Sequence, residues 1–228
     1  MKRGRAPGRS KVDRKVLDFV RNFYAAGLNF RAHIEWANRE HGGGYKVPTQ
    51  ADIGYRSPSA LIASGEDIVI PKDSTGPVEY EGELVAVIGK KIRNATEKNA
   101  LEGVAGYTLG NDVSERSWQR GDRTLWRAKN SDTFKPMGPF IVDGLDPTKL
   151  QIDVRINGKT VSSYHTGGMI FGVAHYISRM SRYLTLHPGD VVWFGCDGPT
   201  VPALQPGDLV EVACEPIGVL GNRVVREA

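Results

Sequence analysis

Cysteine is nearly absent: Cys196 and Cys214 are the only two among 228 residues. With no CxxC spacing they make neither a disulfide framework nor a structural zinc site, and a reducing cytoplasm is the expected compartment. No apolar run approaches the roughly 20 residues of a membrane span, and the N-terminus lacks the apolar core of a secretion signal. A GxSxG elbow, a P-loop and a dinucleotide fingerprint are all missing, which argues against nucleotide and hydride chemistry. No aromatic-rich RNA-binding pattern or zinc-finger pattern occurs either.

Positive charge is plentiful but local. Residues 1–21 hold eight Lys/Arg against two Asp, a net +6, while the whole chain carries only +4, so the rest is slightly acidic. A basic arm can meet nucleic acid or anionic surfaces. Without a recognition motif beside it, the arm reads as a solvated tail leading into a helix, and neither a nucleic-acid nor a membrane partner is expected.

At 40% hydrophobic content, 228 residues suffice for one domain with a real core. Val12, Val16, Leu17, Val20 and Phe23 recur at helical spacing, which predicts a helix over residues 12–24. GLNFRAHIEWANREHGGGYK is helix-prone and ends in the glycines at 42–44, a break and plausible hinge. From residue 52 the chain becomes β-rich, with turns such as INGK, HPGD and QPGD between apolar runs. Short helices are expected at NATEKNALEGV, DVSERSWQ and GVAHYISRMSR. The expectation is α+β, mainly β: a basic arm, helix and lid segment over 1–50 joined to a β domain over 51–228, one domain overall.

The stretch VEYEGELVAVIG, residues 78–89, poses the chemical question. In a strand, side chains alternate between faces. Glu81 and Glu83 therefore share one face with Val85 and Val87, while Tyr80, Gly82, Leu84, Ala86 and Ile88 share the other. Two carboxylates on a face that reads as core need neutralising. A solvent-facing strand end, a Lys or Arg partner, or a metal would each do so. GYTLGNDVSERSWQ brings a third acid, Asp112, at the end of a strand-like run. It is either the N-cap of the following helix, with Arg116 and Gln119 on its face, or a ligand. Three convergent carboxylates suit a hard divalent cation, Mg2+ or Mn2+. Lys129 and Lys135 bracket a loop that can aim an ammonium at an anion. His33 is the remaining candidate; the other histidines have no evident company.

Taken together, these segments resemble the fumarylacetoacetate hydrolase family. The matching blocks run in order over residues 27–225: GLNFRAH, YEGELVAVIGKKI, AGYTLGNDVSER..Q, KNSDTFKPMGPFIV, VRINGK, TGGMIF, LHPGDVV and QPGDLVEV. The resemblance implies a mixed β-roll, usually a homodimer, holding Mg2+ or Mn2+ and acting on 2-oxo or 2,4-dioxo carboxylates. By motif, the metal ligands would be Glu81, Glu83 and Asp112. Arg116, Gln119 and Lys129 would bind the substrate's carboxylate and oxo groups, and His33 would be the lid histidine. The resemblance points first to C–C hydrolysis of a small acylpyruvate-like acid. Decarboxylation or enol–keto isomerisation, and a binding homologue without catalysis, are the alternatives.

Two departures bear on that choice. Hydrolytic members carry a glutamate three residues after the lid histidine, and here that position is Trp36. The nearest acid, Glu35, is the candidate partner of His33, but two residues apart on a helix means nearly opposite faces. The family's GTP.G loop, which contributes a threonine, reads GCDG at 195–198. Decarboxylation and tautomerisation survive both changes better than hydrolysis does.

Overall fold

Apolar runs punctuated by tight turns fold here as two packed sheets. The structure, a computed structural model, describes residues 7–40 and 43–228. The first six residues of the basic arm, and Gly42 of the glycine triplet, lie outside the described residues. Among the described residues the larger sheet runs Arg9–Lys11, Lys135–Val142, Val104–Asn111, Gly82–Ile88, Val191–Trp193, Phe23–Ala26 and Ile53–Arg56, with Leu61–Ile62 joined to Lys135–Val142 off this path. The second sheet runs Lys159–His165, Gln151–Ile156, Leu209–Cys214, Gly218–Arg226 and Ile68–Ile70, and Val78–Glu79 pairs with Ser114–Glu115 as a separate ribbon. No helix among the described residues is long and apolar enough to cross a membrane.

The Gly82–Ile88 strand is buried on both faces, and its alternation sorts two cores. Leu84, Ala86 and Ile88 join the larger apolar cluster with Val154 and Val212 of the second sheet. Val85 and the partly buried Val87 turn to a smaller cluster with Val12, Phe23, Met137 and Trp193. Gly82, between the two glutamates, is where the second sheet closes on this strand: a Cβ there would stand 2.6 Å from Val154 Cγ2. The absence of a side chain at 82 is therefore a packing requirement.

Three helical expectations are corrected. Residues 12–24 are not one helix. Asp13 caps a single short helix, Arg14–Asp18, by accepting from the Val16 amide at 3.1 Å. Phe23–Ala26 is instead a strand, parallel to Val191–Trp193 and antiparallel to Ile53–Arg56. Phe23 buries its ring 4.7 Å from that of Trp193, and the sheet's non-local pairing overrides the local helical period. NATEKNALEGV yields only the 3₁₀ turn Ala100–Gly103. DVSERSWQ is helical only over Arg116–Gln119, because Ser114–Glu115 pairs with Val78–Glu79. Its N-cap is Glu115, not Asp112. The helix at GVAHYISRMSR forms as Val173–Tyr183, its apolar face in the core.

Candidate metal centre and its cavity

Strand register assembles the acids. Gly82–Ile88 and Val104–Asn111 pair antiparallel with Gly82 opposite Asn111 and Glu83 opposite Gly110. One step further, the Asp112 amide donates to the Glu81 carbonyl at 2.8 Å, and the Glu81 amide donates to Asn111 Oδ1 at 3.0 Å. Glu81 and Asp112 thus face each other at the end of the ladder, and Glu83, two residues on, shares their side. One carboxylate oxygen from each lies within 4.8 Å of the others, and all three residues are buried.

Four cations compensate this charge. Lys129 Nζ donates to Glu81 Oε2 at 2.8 Å and to Asp112 Oδ2 at 2.9 Å. Arg116 Nη2 meets Glu81 Oε1 at 2.7 Å, Nε meets Glu79 Oε2 at 2.7 Å, and Nη1 meets Gln119 Oε1 at 2.7 Å. Arg56 Nη2 lies 2.9 Å from Asp112 Oδ2, and Lys135 Nζ 2.7 Å from Asp112 Oδ1. Glu83 has no such partner among the described residues; its Oε2 accepts from the Gly195 amide at 2.7 Å.

The electrostatics follow this asymmetry. Burial opposes ionisation of Glu81, but Lys129 and Arg116 outweigh it and hold the carboxyl at about 2. Burial likewise acts against Asp112, and Arg56, Lys129 and Lys135 pull its carboxyl well below the usual range. Glu83 moves the opposite way: burial, then the charges of Asp112 and Glu81, push it well above the ordinary value. Lys135, fully buried, is drawn down to about 7 by desolvation, with Asp112 opposing. Three carboxyl oxygens converging where Glu83 lacks an ion-pair partner fit a hard divalent ion, whose charge would favour ionised Glu83 and whose ligands would be Glu81, Glu83 and Asp112.

These groups form the floor of a cavity of about 650 Å³. Its roof is the Arg31–Glu40 helix, from which His33, Trp36, Ala37 and Glu40 face inward at helical spacing. His33 Nδ1 lies 2.8 Å from the Gly198 carbonyl, and its ring centroid 5.5 Å from that of Trp36. Arg116, Gln119 and Lys129 line the walls, as does Arg56. Glu35 is exposed and is not among the lining residues, because the helix is regular there and turns it away.

Several site residues escaped the sequence reading. Glu79 extends the alternation of Glu81 and Glu83 by one step, a signal present in VEYEGE. Arg56 comes from an edge strand remote in sequence, and nothing local marks it. Lys135 was visible only as one end of a loop, whereas it is buried against Asp112 and also donates to the Val113 and Phe134 carbonyls at 2.8 and 2.9 Å. Thr200, a few residues beyond the GCDG stretch, hydrogen-bonds Glu79 and accepts from Arg116 Nη2 at 3.3 Å. A threonine therefore stands at the arginine although the loop sequence differs from the family pattern.

Comparison with known proteins agrees with this architecture. The sequence profile described as "Fumarylacetoacetate (FAA) hydrolase C-terminal" matches residues 22–225. The chain is 36% identical over 211 residues to a 2,4-didehydro-3-deoxy-L-rhamnonate hydrolase of a Sphingomonas species, covering 88% of this chain and 72% of that one. It is 30% identical over 213 residues to the oxaloacetate tautomerase YisK of Bacillus subtilis, covering 90% and 69%. Among solved structures, a 5-carboxymethyl-2-hydroxymuconate delta-isomerase from Mycobacterium smegmatis superposes with a TM-score of 0.80 at 35% identity, covering 91% of this chain and 79% of that one. Profile, relatives and fold agree over nearly the whole length, and the chain belongs to the fumarylacetoacetate hydrolase family of enzymes.

Proposed function

We propose that the protein is a Mg2+- or Mn2+-dependent enzyme that interconverts the keto and enol forms of a small 2-oxo dicarboxylate resembling oxaloacetate. The observation that carries this reading is the roof of the cavity. His33 faces inward while Trp36 occupies the position three residues on and Glu35 points to solvent. The lid position three residues after the histidine, from which an acid would help it activate water, is filled by an indole, whereas tautomerisation needs only one base that can take and return a proton.

Charge supports a dianionic substrate. Glu79, Glu81, Glu83 and Asp112 are matched in number by Arg56, Arg116, Lys129 and Lys135. A divalent ion adds two positive charges, and a dicarboxylate restores the balance. Arg120 also lines the cavity and makes no ion pair among the described residues, which leaves a cation for the distal carboxylate.

When bound, the divalent ion supplies Lewis acidity at the 2-oxo group. His33 Nε2 takes a proton from C3, the C–H pair becomes the C2–C3 double bond, the C2–O π pair moves onto the oxygen, and the imidazolium returns its proton to that oxygen to give the enol. Lys129 places an ammonium at the cavity floor, where negative charge develops on that oxygen. Arg116, held by Glu79, Glu81 and Gln119, orients the substrate carboxylate.

C–C hydrolysis of a longer acylpyruvate is the second reading. Glu40 favours it: it lines the cavity on the same helix face as His33, and the cavity is roomy. We place the enzyme in the cytoplasm as a homodimer; the two free, buried thiols suit a reducing compartment.

The test is oxaloacetate and acylpyruvates incubated with Mg2+, Mn2+ or excess EDTA and followed by NMR. Metal-dependent enol–keto exchange without loss of carbon supports the proposal. Pyruvate with CO2 would make it a decarboxylase, and two carboxylic fragments a hydrolase.

A further inference from the structure

On the helical turn next to His33 the inward position is Trp36 rather than an acid, yet the His33 ring is fixed. Its Nδ1 lies 2.8 Å from the Gly198 carbonyl. A carbonyl oxygen only accepts, so Nδ1 carries the hydrogen and Nε2 is the nitrogen left for proton exchange. The residue before that carbonyl's is Asp197. Burial pushes the Asp197 carboxyl up, while the Gly198 and His33 backbone amides and the His33 ring act against the rise. Asp197 Oδ1 is buried and finds no hydrogen-bond partner among the described residues. An acid is thus placed beside the base's own peptide with one oxygen uncommitted.

We propose that Asp197 is the positioning carboxylate of His33, supplying from the loop outside the lid an acid in place of the one absent at Trp36. The inference rests on His33 being the base in the reaction proposed above. Asp197 does not line the cavity, so it acts through His33 rather than on substrate. The Gly198 carbonyl fixes the tautomer, and the adjacent negative charge stabilises the imidazolium formed when Nε2 takes the proton. Other charges also face the ring. Glu81 acts on it from the cavity floor, Glu40 shares its helix face and Arg120 lines the same cavity. Glu35 lies near enough to Asp197 to add to its rise.

The experiment is a pH titration of the His33 ring nitrogens by long-range proton–nitrogen NMR, on the Mg2+-loaded protein, alongside kcat/KM for oxaloacetate. In the wild type the neutral ring shows the hydrogen on Nδ1. Asp197→Asn lowers the His33 pKa by about half a unit or more, as expected when a nearby opposite charge is removed. The acidic limb of kcat/KM moves down with it, and Mg2+ affinity is unchanged. Asp197→Glu keeps the charge and holds the pKa near the wild-type value, and Glu35→Gln leaves it in place. A His33 pKa unmoved by Asp197→Asn, an equal shift in both Asp197 variants, or a hydrogen on Nε2 in the wild type would overturn the proposal. The spectra report on His33 whether or not oxaloacetate is turned over, so failure of the reaction and failure of the Asp197 role are separate outcomes.

Discussion

Lys135 Nζ lies 2.7 Å from Asp112 Oδ1 with both side chains buried. The same ammonium donates to two backbone carbonyls, so one side chain serves three acceptors in the interior. Lys135→Met strips all three contacts and is expected to cost about 3 kcal/mol of stability, since it breaks a buried ion pair and removes a donor from two buried carbonyls. Urea unfolding measures this; an unchanged midpoint would mean that the pair contributes nothing net.

Glu83→Gln should weaken Mn2+ binding by at least about tenfold, because the site loses a carboxylate that makes no direct ion pair with a lysine or arginine among the described residues. Electron paramagnetic resonance of free Mn2+ gives the affinity directly. Binding equal to the wild type would remove Glu83 from the ligand set.

Lys129→Met should leave Mn2+ bound while kcat falls by about a hundredfold or more, the scale expected when a preorganised charge is lost from a reacting oxygen. Lys129 contacts both Glu81 and Asp112, so loss of the ion instead would show that it organises the ligands.

Thr200→Val removes a hydroxyl shared by Glu79 and Arg116. KM for the oxo acid is expected to rise about tenfold as the guanidinium loses its alignment, a cost of about 1.4 kcal/mol, and Thr200→Ser should restore it. Steady-state kinetics on the two variants decide the matter; equal KM values in wild type and Thr200→Val would detach Thr200 from substrate binding.

The parts of the site legible in sequence were those that one strand or one motif carries. Glu81 and Glu83 follow from strand alternation, and Asp112 from the abrupt end of an apolar run; the register of the two strands then brings them together. His33, Arg116, Gln119 and Lys129 stood out as candidates, and their roles came with the family resemblance. Arg56 and Lys135 were beyond reach because their roles depend on pairings far apart in the chain, which leave no local period. The helix expected over 12–24 failed for a related reason: Phe23 continues the helical spacing of Val12, Val16, Leu17 and Val20, but pairing between Val191–Trp193 and Ile53–Arg56 decides its conformation. Asp112 as an N-cap failed because Glu115 already caps the helix, its carboxylate accepting from the Trp118 amide.

The 195–200 loop touches three separate devices. The Gly195 amide holds Glu83, the Gly198 carbonyl holds His33, and the Thr200 hydroxyl holds Glu79 and Arg116. A change of length or backbone path here would therefore alter ion affinity, base orientation and anion recognition together. Evolution has little freedom to adjust any one of these through this segment without disturbing the rest. Divergence in substrate range is more readily accommodated at the cavity mouth, where exposed residues such as Glu40 and Arg120 can vary one at a time.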